Sequence, residues 1–96
     1  MELHQIRHFV AVARAGSFTK GAELAAVSQP ALSASIGRLE AELKVKLLDR
    51  QRTKVTPTIS GYKLLNAAIE ILRDCDSLQR ELRQISSPRI LGSRLN

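Results

Sequence analysis

Gln29, Ser33 and Arg38 lie on one stretch, QPALSASIGRLEAEL (29–43), whose remaining side chains on that side are nearly all small. Gln can pair bidentately with adenine, Ser can donate or accept at a base edge, and Arg can reach guanine or a phosphate. Around them stand Pro30, Ala34, Gly37 and Ala41, where a water-facing helix usually carries Lys, Glu or Gln. The opposite side is an apolar stripe, Leu32, Ile36, Leu39 and Leu43, at helical intervals. Gly37 costs such a helix about 1 kcal/mol relative to Ala, so something should compensate it. Close approach to a ligand would. A major groove about 12 Å wide matches the diameter of a helix, and small side chains let the backbone near the base edges.

A second group of residues suits phosphates. Between Lys44 and Lys54 the chain holds Lys44, Lys46, Arg50, Arg52 and Lys54 against Asp49 alone. Of these, Arg50, Arg52 and Lys54 are expected at the tip of a hairpin over the DNA backbone or minor groove, giving affinity without sequence information. Alone, such a run would read as a solvated loop. Ser17, Thr19 and Lys20 open a short helix whose first N–H groups favour an anion, and Ser28 opens the next. HQIRH (4–8) has zinc-protease spacing, but Gln5 stands where the general-base Glu must be, so both histidines read as surface or interface residues. No nucleophile elbow, phosphate loop or carboxylate pair stands out, and no catalytic activity, metal or cofactor is expected within the chain.

These residues need elements to hold them. Leu3, Ile6, Phe9, Val10 and Ala13 share one face of a first helix, 3–15, which Gly16 stops. Ser17 caps a second, 18–26, whose Ala22 is small enough to let a crossing helix approach. Ser28 caps the third, 29–43, and tolerates Pro30 in its first turn. The pair 18–26 and 29–43 is a helix-turn-helix, although ordinary helical corners look alike. Two short strands are expected near Leu47–Asp49 and Lys54–Thr56, with a basic wing over 49–54 and Pro57 ending the segment. Thr58 then caps a long helix to about Ile85, roughly 40 Å at ~1.5 Å per residue.

That helix carries two apolar seams. Leu64, Ala68, Ile71, Cys75, Leu78, Leu82 and Ile85 alternate by four and three, a heptad repeat. Leu65, Ile69 and Leu72 stop halfway. The short seam is expected to dock on its own domain and leave the long one for a second copy; the alternative is one broad core face.

Bulk properties agree. The 96 residues make one modest domain, with a net charge of +6 that favours a polyanion. Phe9, Phe18 and Tyr62 are its aromatics, so the core must be aliphatic and helical. A single cysteine fits a reducing compartment. With no long apolar run and no signal-peptide core, a membrane is not expected as a partner and a cytoplasmic location is.

Taken together, MELHQIRHFVAVARAGSFTKGAELAAVSQPALSASIGRLEAEL, then KLLDR, then VTPTISG, resemble the N-terminal DNA-binding domain of LysR-type transcriptional regulators over about residues 2 to 90. The resemblance implies a mainly α winged helix-turn-helix, with a three-helix core, a two-stranded wing and a long helix that dimerises antiparallel. It implies transcription regulation from an imperfect inverted repeat in double-stranded DNA, by a homodimer or, at full length, a tetramer, in the bacterial cytoplasm and on the nucleoid when bound. By position, Gln29, Pro30 and Ser33 fall on base-facing residues, Arg50 on the wing arginine, and Thr58 and Gly61 on the pair that opens the long helix. Three positions depart from the pattern. Ala34 stands where an Arg or long polar residue is common, Lys44 replaces the Gly after the recognition helix, and Pro57 replaces an apolar residue. Lys44 therefore leaves open whether that helix ends differently or runs on.

The expected organisation is a DNA-binding domain over 1–57, a linker and dimerisation helix over 58–86, and a hinge over 87–96 toward an effector domain that would bind a small-molecule inducer. Two other functions compete: a helical adaptor using its basic wing on an acidic partner, and a nonspecific architectural DNA binder.

Overall fold

Local capping chemistry sets the helix ends in a computed structural model that describes residues 1–51 and 53–85. Helix α1 (Leu3–Ala15) begins where Gln5 Oε1 accepts the Glu2 N–H at 2.9 Å. It ends at Gly16, whose φ of 69° is left-handed and whose N–H reaches Val12 O at 2.8 Å. Ser17 Oγ accepts the Lys20 N–H at 3.1 Å to start α2 (Phe18–Ala25). Ser28 Oγ accepts the Ala31 N–H at 3.2 Å to start α3 (Gln29–Leu43), with Pro30 in the first turn.

Helix α3 does not run on. Lys44 takes the left-handed cap itself, at φ 60°, and its N–H bonds Glu40 O. Ala26 does the same after α2, at φ 57°, so two of the three caps use a residue that pays sterically for the conformation.

Strands β1 (Leu48–Asp49) and β2 (Thr56–Pro57) pair antiparallel, Leu48 with Pro57 and Asp49 with Thr56. The second strand thus sits further along than the expected Lys54–Thr56, and Pro57 lies inside it instead of ending the segment. A two-stranded sheet is all edge, where a residue without an N–H is tolerated. Val55, one residue earlier, sends its N–H to Gly16 O at 3.0 Å, tying the wing to the α1–α2 turn.

Helix α4 (Ile59–Ile85) completes the chain as described, and the molecule measures 60 × 24 × 20 Å along its principal axes. The core lies where α1, α2 and α3 meet, with Phe9, Val12, Leu32, Ile36, Leu39 and Leu47 fully enclosed. Burying each such side chain contributes about 1.5–3 kcal/mol. Close helix approach at the α1–α2 crossing rests on Gly21 as well as Ala22: a Cβ on Gly21 would lie 3.0 Å from Val12 Cα.

The two seams of α4 do not divide as expected. Ala68 is wholly buried in the domain core, and Leu64, Leu65 and Leu72 pack against it. These four span an arc of about 100° at ~100° per residue, so they form one face and not two. Leu64 and Ala68, assigned to a dimer seam, are therefore taken up by the chain's own domain. Ile71, Leu78, Leu82 and Ile85 remain exposed and Cys75 half-buried. The expected hinge, 87–96, and Arg52 lie outside the described residues.

Candidate nucleic-acid interface

The outer face of α3 is open. Gln29, Pro30, Ala34, Gly37 and Arg38 are exposed and Ser33 is half-buried, while Leu32, Ile36 and Leu39 on the inner face are fully enclosed. A Cβ built on Gly37 would meet nothing within 4 Å. Packing among the described residues does not require a glycine there, so its helix penalty has no explanation among them.

Gln29 is oriented from the neighbouring helix. Thr19 Oγ1 donates to Gln29 Oε1 at 3.2 Å, joining the start of α2 to the start of α3. A carbonyl oxygen has two lone pairs, so Oε1 retains one acceptor position and the amide keeps both N–H donors. That is the complement needed for the N6 and N7 edge of adenine. Ser17 and Ser28 each accept one backbone N–H in capping and keep the O–H donor, and Lys20 is exposed beside them.

The wing is fastened to α3 by a residue that sequence reasoning missed. Glu40 lies on the inner face with its side chain 4% exposed. Its Oε2 accepts the Leu47 N–H at 2.7 Å and the Leu48 N–H at 3.3 Å, while Oε1 faces Arg50 Nη2 at 3.4 Å and Lys46 Nζ at 3.9 Å. A signal for it existed: Glu40 follows Ile36 by four, which places a carboxylate on the buried stripe.

Arg50 directly follows β1, and its side chain turns back toward the domain instead of reaching out from the tip. Its guanidinium lies 4.5 Å from the Phe18 ring centroid and turns toward Glu40, so one side chain joins β1, α2 and α3. A guanidinium has five N–H donors, and the exposed part of Arg50 leaves some of them for a phosphate. Lys54 is exposed, with its stem laid across Gly16, where an added Cβ would come within 2.8 Å of Lys54 Cε.

The base of the wing and the start of α4 share one joint. Thr58 N–H donates to Leu47 O at 3.0 Å, and Thr58 Oγ1 donates to Lys46 O at 2.6 Å while accepting the Gly61 N–H at 3.0 Å. A Cβ on Gly61 would fall 2.0 Å from Leu47 O, so no side chain fits. Behind α3, His8 Nδ1 and Ser35 Oγ are 2.7 Å apart, and His4 meets His8 edge-on at 5.6 Å between ring centroids. Burial pushes the His8 pKa down, and the charge of His4 acts in the same direction. Arg7 Nη2 bonds Asp76 Oδ1 at 2.9 Å, joining α1 to α4 and raising the Arg7 pKa. No helix among the described residues is long and apolar enough to cross a membrane.

Comparison with known proteins adds to this geometry. A family model described as "Bacterial regulatory helix-turn-helix protein, lysR family" matches residues 3–62. The transcriptional regulator BenM of Acinetobacter baylyi is 39% identical over 87 residues, covering 91% of this chain and 29% of BenM. The nitrogen assimilation regulatory protein nac of Klebsiella aerogenes is 38% identical over 85 residues, covering 88% and 28%. Thus the chain spans under a third of the length of these relatives. Among solved structures, the BenM_DBD complex with catB site 1 DNA superposes with a TM-score of 0.86 at 39% identity, covering 91% of this chain and 97% of that one. Full-length CbnR complexed with its target DNA gives a TM-score of 0.79 at 34% identity, covering 88% and 29%.

Proposed function

The chain belongs to the lysR family of bacterial regulatory helix-turn-helix proteins, and we propose that it binds a defined site in double-stranded DNA to regulate transcription. Helix α3 enters the major groove through Gln29, Pro30, Ser33, Ala34, Gly37 and Arg38. Ser17, Thr19, Lys20 and Ser28, together with Arg50, Arg52 and Lys54, hold the flanking backbone. The carrying observation is the outer face of α3, exposed, with small side chains, and including a glycine that no packing among the described residues demands. The BenM_DBD and CbnR complexes with DNA, close in fold and sequence, support the same reading.

Two copies pair through the stripe of exposed Ile71, Leu78, Leu82 and Ile85 with half-buried Cys75 and address an inverted repeat. The chain works on DNA without a catalytic step or a cofactor of its own, in the bacterial cytoplasm. An inducer, where one acts, binds a further domain of the kind the relatives' additional length could hold.

Selection from random duplexes tests the reading. One enriched inverted repeat is expected, with affinity falling steeply as salt rises, by a slope of about 0.9 per phosphate neutralised. Retention of all sequences alike would support an architectural binder, and equal affinity for other polyanions an adaptor; either result overturns the proposal.

A further inference from the structure

Helices α1 and α4 and the end of α2 enclose a groove of about 730 Å³ that shares no residue with the α3 face or the wing. Its floor is apolar, built from Val10, Leu24, Ile69 and Leu72. Leu24 is 67% exposed there. Its walls carry Arg7, Arg14, Arg73 and Arg80. Asp76 is the acid among its lining residues, and Arg7 already holds it at 2.9 Å. Arg14, Arg73 and Arg80 have no ion pair among the described residues.

The groove is separate from the face that would pair two copies. At ~100° per residue, Ile69, Arg73, Asp76 and Arg80 centre roughly 180° around α4 from Ile71, Leu78, Leu82 and Ile85. A second copy seated on the exposed stripe therefore leaves the groove uncovered. Arg7 to Arg14 and Arg73 to Arg80 each run about 10 Å, two helical turns.

We propose that this groove docks an acidic amphipathic helix of another protein, its apolar side on the floor and its carboxylates on the arginines. Charge complementarity argues for that occupant. Guanidinium forks match carboxylates bidentately, and a short apolar floor between them suits leucines spaced at three and four. A nucleic-acid backbone would satisfy the arginines but leave the floor without a partner. Because the DNA-facing residues lie elsewhere, the protein could hold DNA and this helix together.

Fluorescence anisotropy with two labelled peptides tests the groove on the chain as it stands. One is a helical Leu/Glu peptide with Leu at i, i+3, i+4 and i+7; the other scrambles the same composition. The helical peptide is expected to bind at least tenfold tighter. Arg73→Gln with Arg80→Gln should weaken it at least tenfold, and so should Leu24→Asp, which alters an exposed side chain. Each variant should keep its dimer and bind duplex DNA within twofold of the parent. Equal binding of the scramble, no binding of the helical peptide, its displacement by duplex DNA, or loss of the dimer in these variants would each overturn the proposal. A chain that selects no DNA site can still bind the peptide, so the two readings fail separately.

Discussion

Replacing Glu40 with Ala is expected to unfasten the wing from the recognition helix at a cost of about 3 kcal/mol. The carboxylate accepts two backbone N–H groups, from Leu47 and Leu48, and both residues are buried. Alanine leaves those donors stranded, and each buried unsatisfied donor costs about 1–3 kcal/mol. The ion pair with Arg50 adds little, because that side chain is 41% exposed and water screens it. A domain of this size has about 5–14 kcal/mol in hand, so the variant should still fold. At about 4–8 °C per kcal/mol, its Tm should fall by roughly 12–24 °C. Glu40→Gln keeps one oxygen acceptor and should lose only about 1–2 kcal/mol. Thermal melting at one fixed protein concentration reads the shift, since self-association makes Tm concentration-dependent. Hydrogen exchange at the Leu47 and Leu48 amides reads the local cause. A Glu40→Ala melt within 4 °C of the parent, or unchanged protection of those two amides, would refute the fastening.

Lys44→Gly should stabilise the fold by about 0.5–1 kcal/mol, because glycine adopts φ 60° without a Cβ penalty; a lower Tm would contradict it. Gln29→Ala should relax discrimination at one base position per half-site, costing about 1–3 kcal/mol there, and binding-site selection with unchanged preferences would remove Gln29 from base readout. Leu78→Asp changes a side chain 54% exposed in the single chain, so it should give folded monomers in sedimentation; a dimer of parental affinity would exclude the stripe. His8 has a pKa below its ordinary 6.5, so the folded state favours the neutral ring. Its stabilising contribution is complete above about pH 6.5 and is lost as pH falls through the lowered folded value. Tm should therefore drop more between pH 7 and 5 in the parent than in His8→Gln, and parallel profiles would refute that.

Much of the fold was legible because its signals are local. Gly16, Ser17, Ser28 and Thr58 mark helix ends through bonds to their own neighbours, and a reader of residue types can find them. The misplacements come from contacts distant in sequence. β2 sits at Thr56–Pro57 because Val55 is held by Gly16, some forty residues earlier, and no strand periodicity encodes that bond. Arg50 read as a wing-tip cation because charge runs ordinarily face water, whereas the buried Glu40 and the Phe18 ring draw it inward. Glu40 itself passed unnoticed, since a carboxylate on an apolar stripe is far more often a solvated edge than a buried acceptor. The heptad pattern of α4 gave the apolar positions correctly but could not say which body covers each. Ala68 is small because its own domain presses against it, and spacing alone cannot distinguish that from a partner helix.

On the proposed function, the same long-range bonds would let a bare helix face serve an inverted repeat. Two recognition helices meet two half-sites only when their separation is fixed, and that separation depends on how α4 leaves each domain. Here α4 starts at Thr58, whose N–H and hydroxyl both bond carbonyls at the base of the wing, Leu47 O and Lys46 O. Leu47 in turn gives its N–H to Glu40 on α3, so the path from α3 to α4 passes through one residue held on both sides. Gly61 lets α4 lie against Leu47 O, where any side chain would push α4 away from the base of the wing. Ala68 and Leu72, about two and three turns on, then clamp the same helix to the core. On the proposed reading, a joint bonded in this way sets the orientation of α4 against α3 without contacting DNA. On that reading it leaves Ala34 and Gly37, both exposed on α3, to be chosen for what they would meet in the groove, because the enclosed core does not include them.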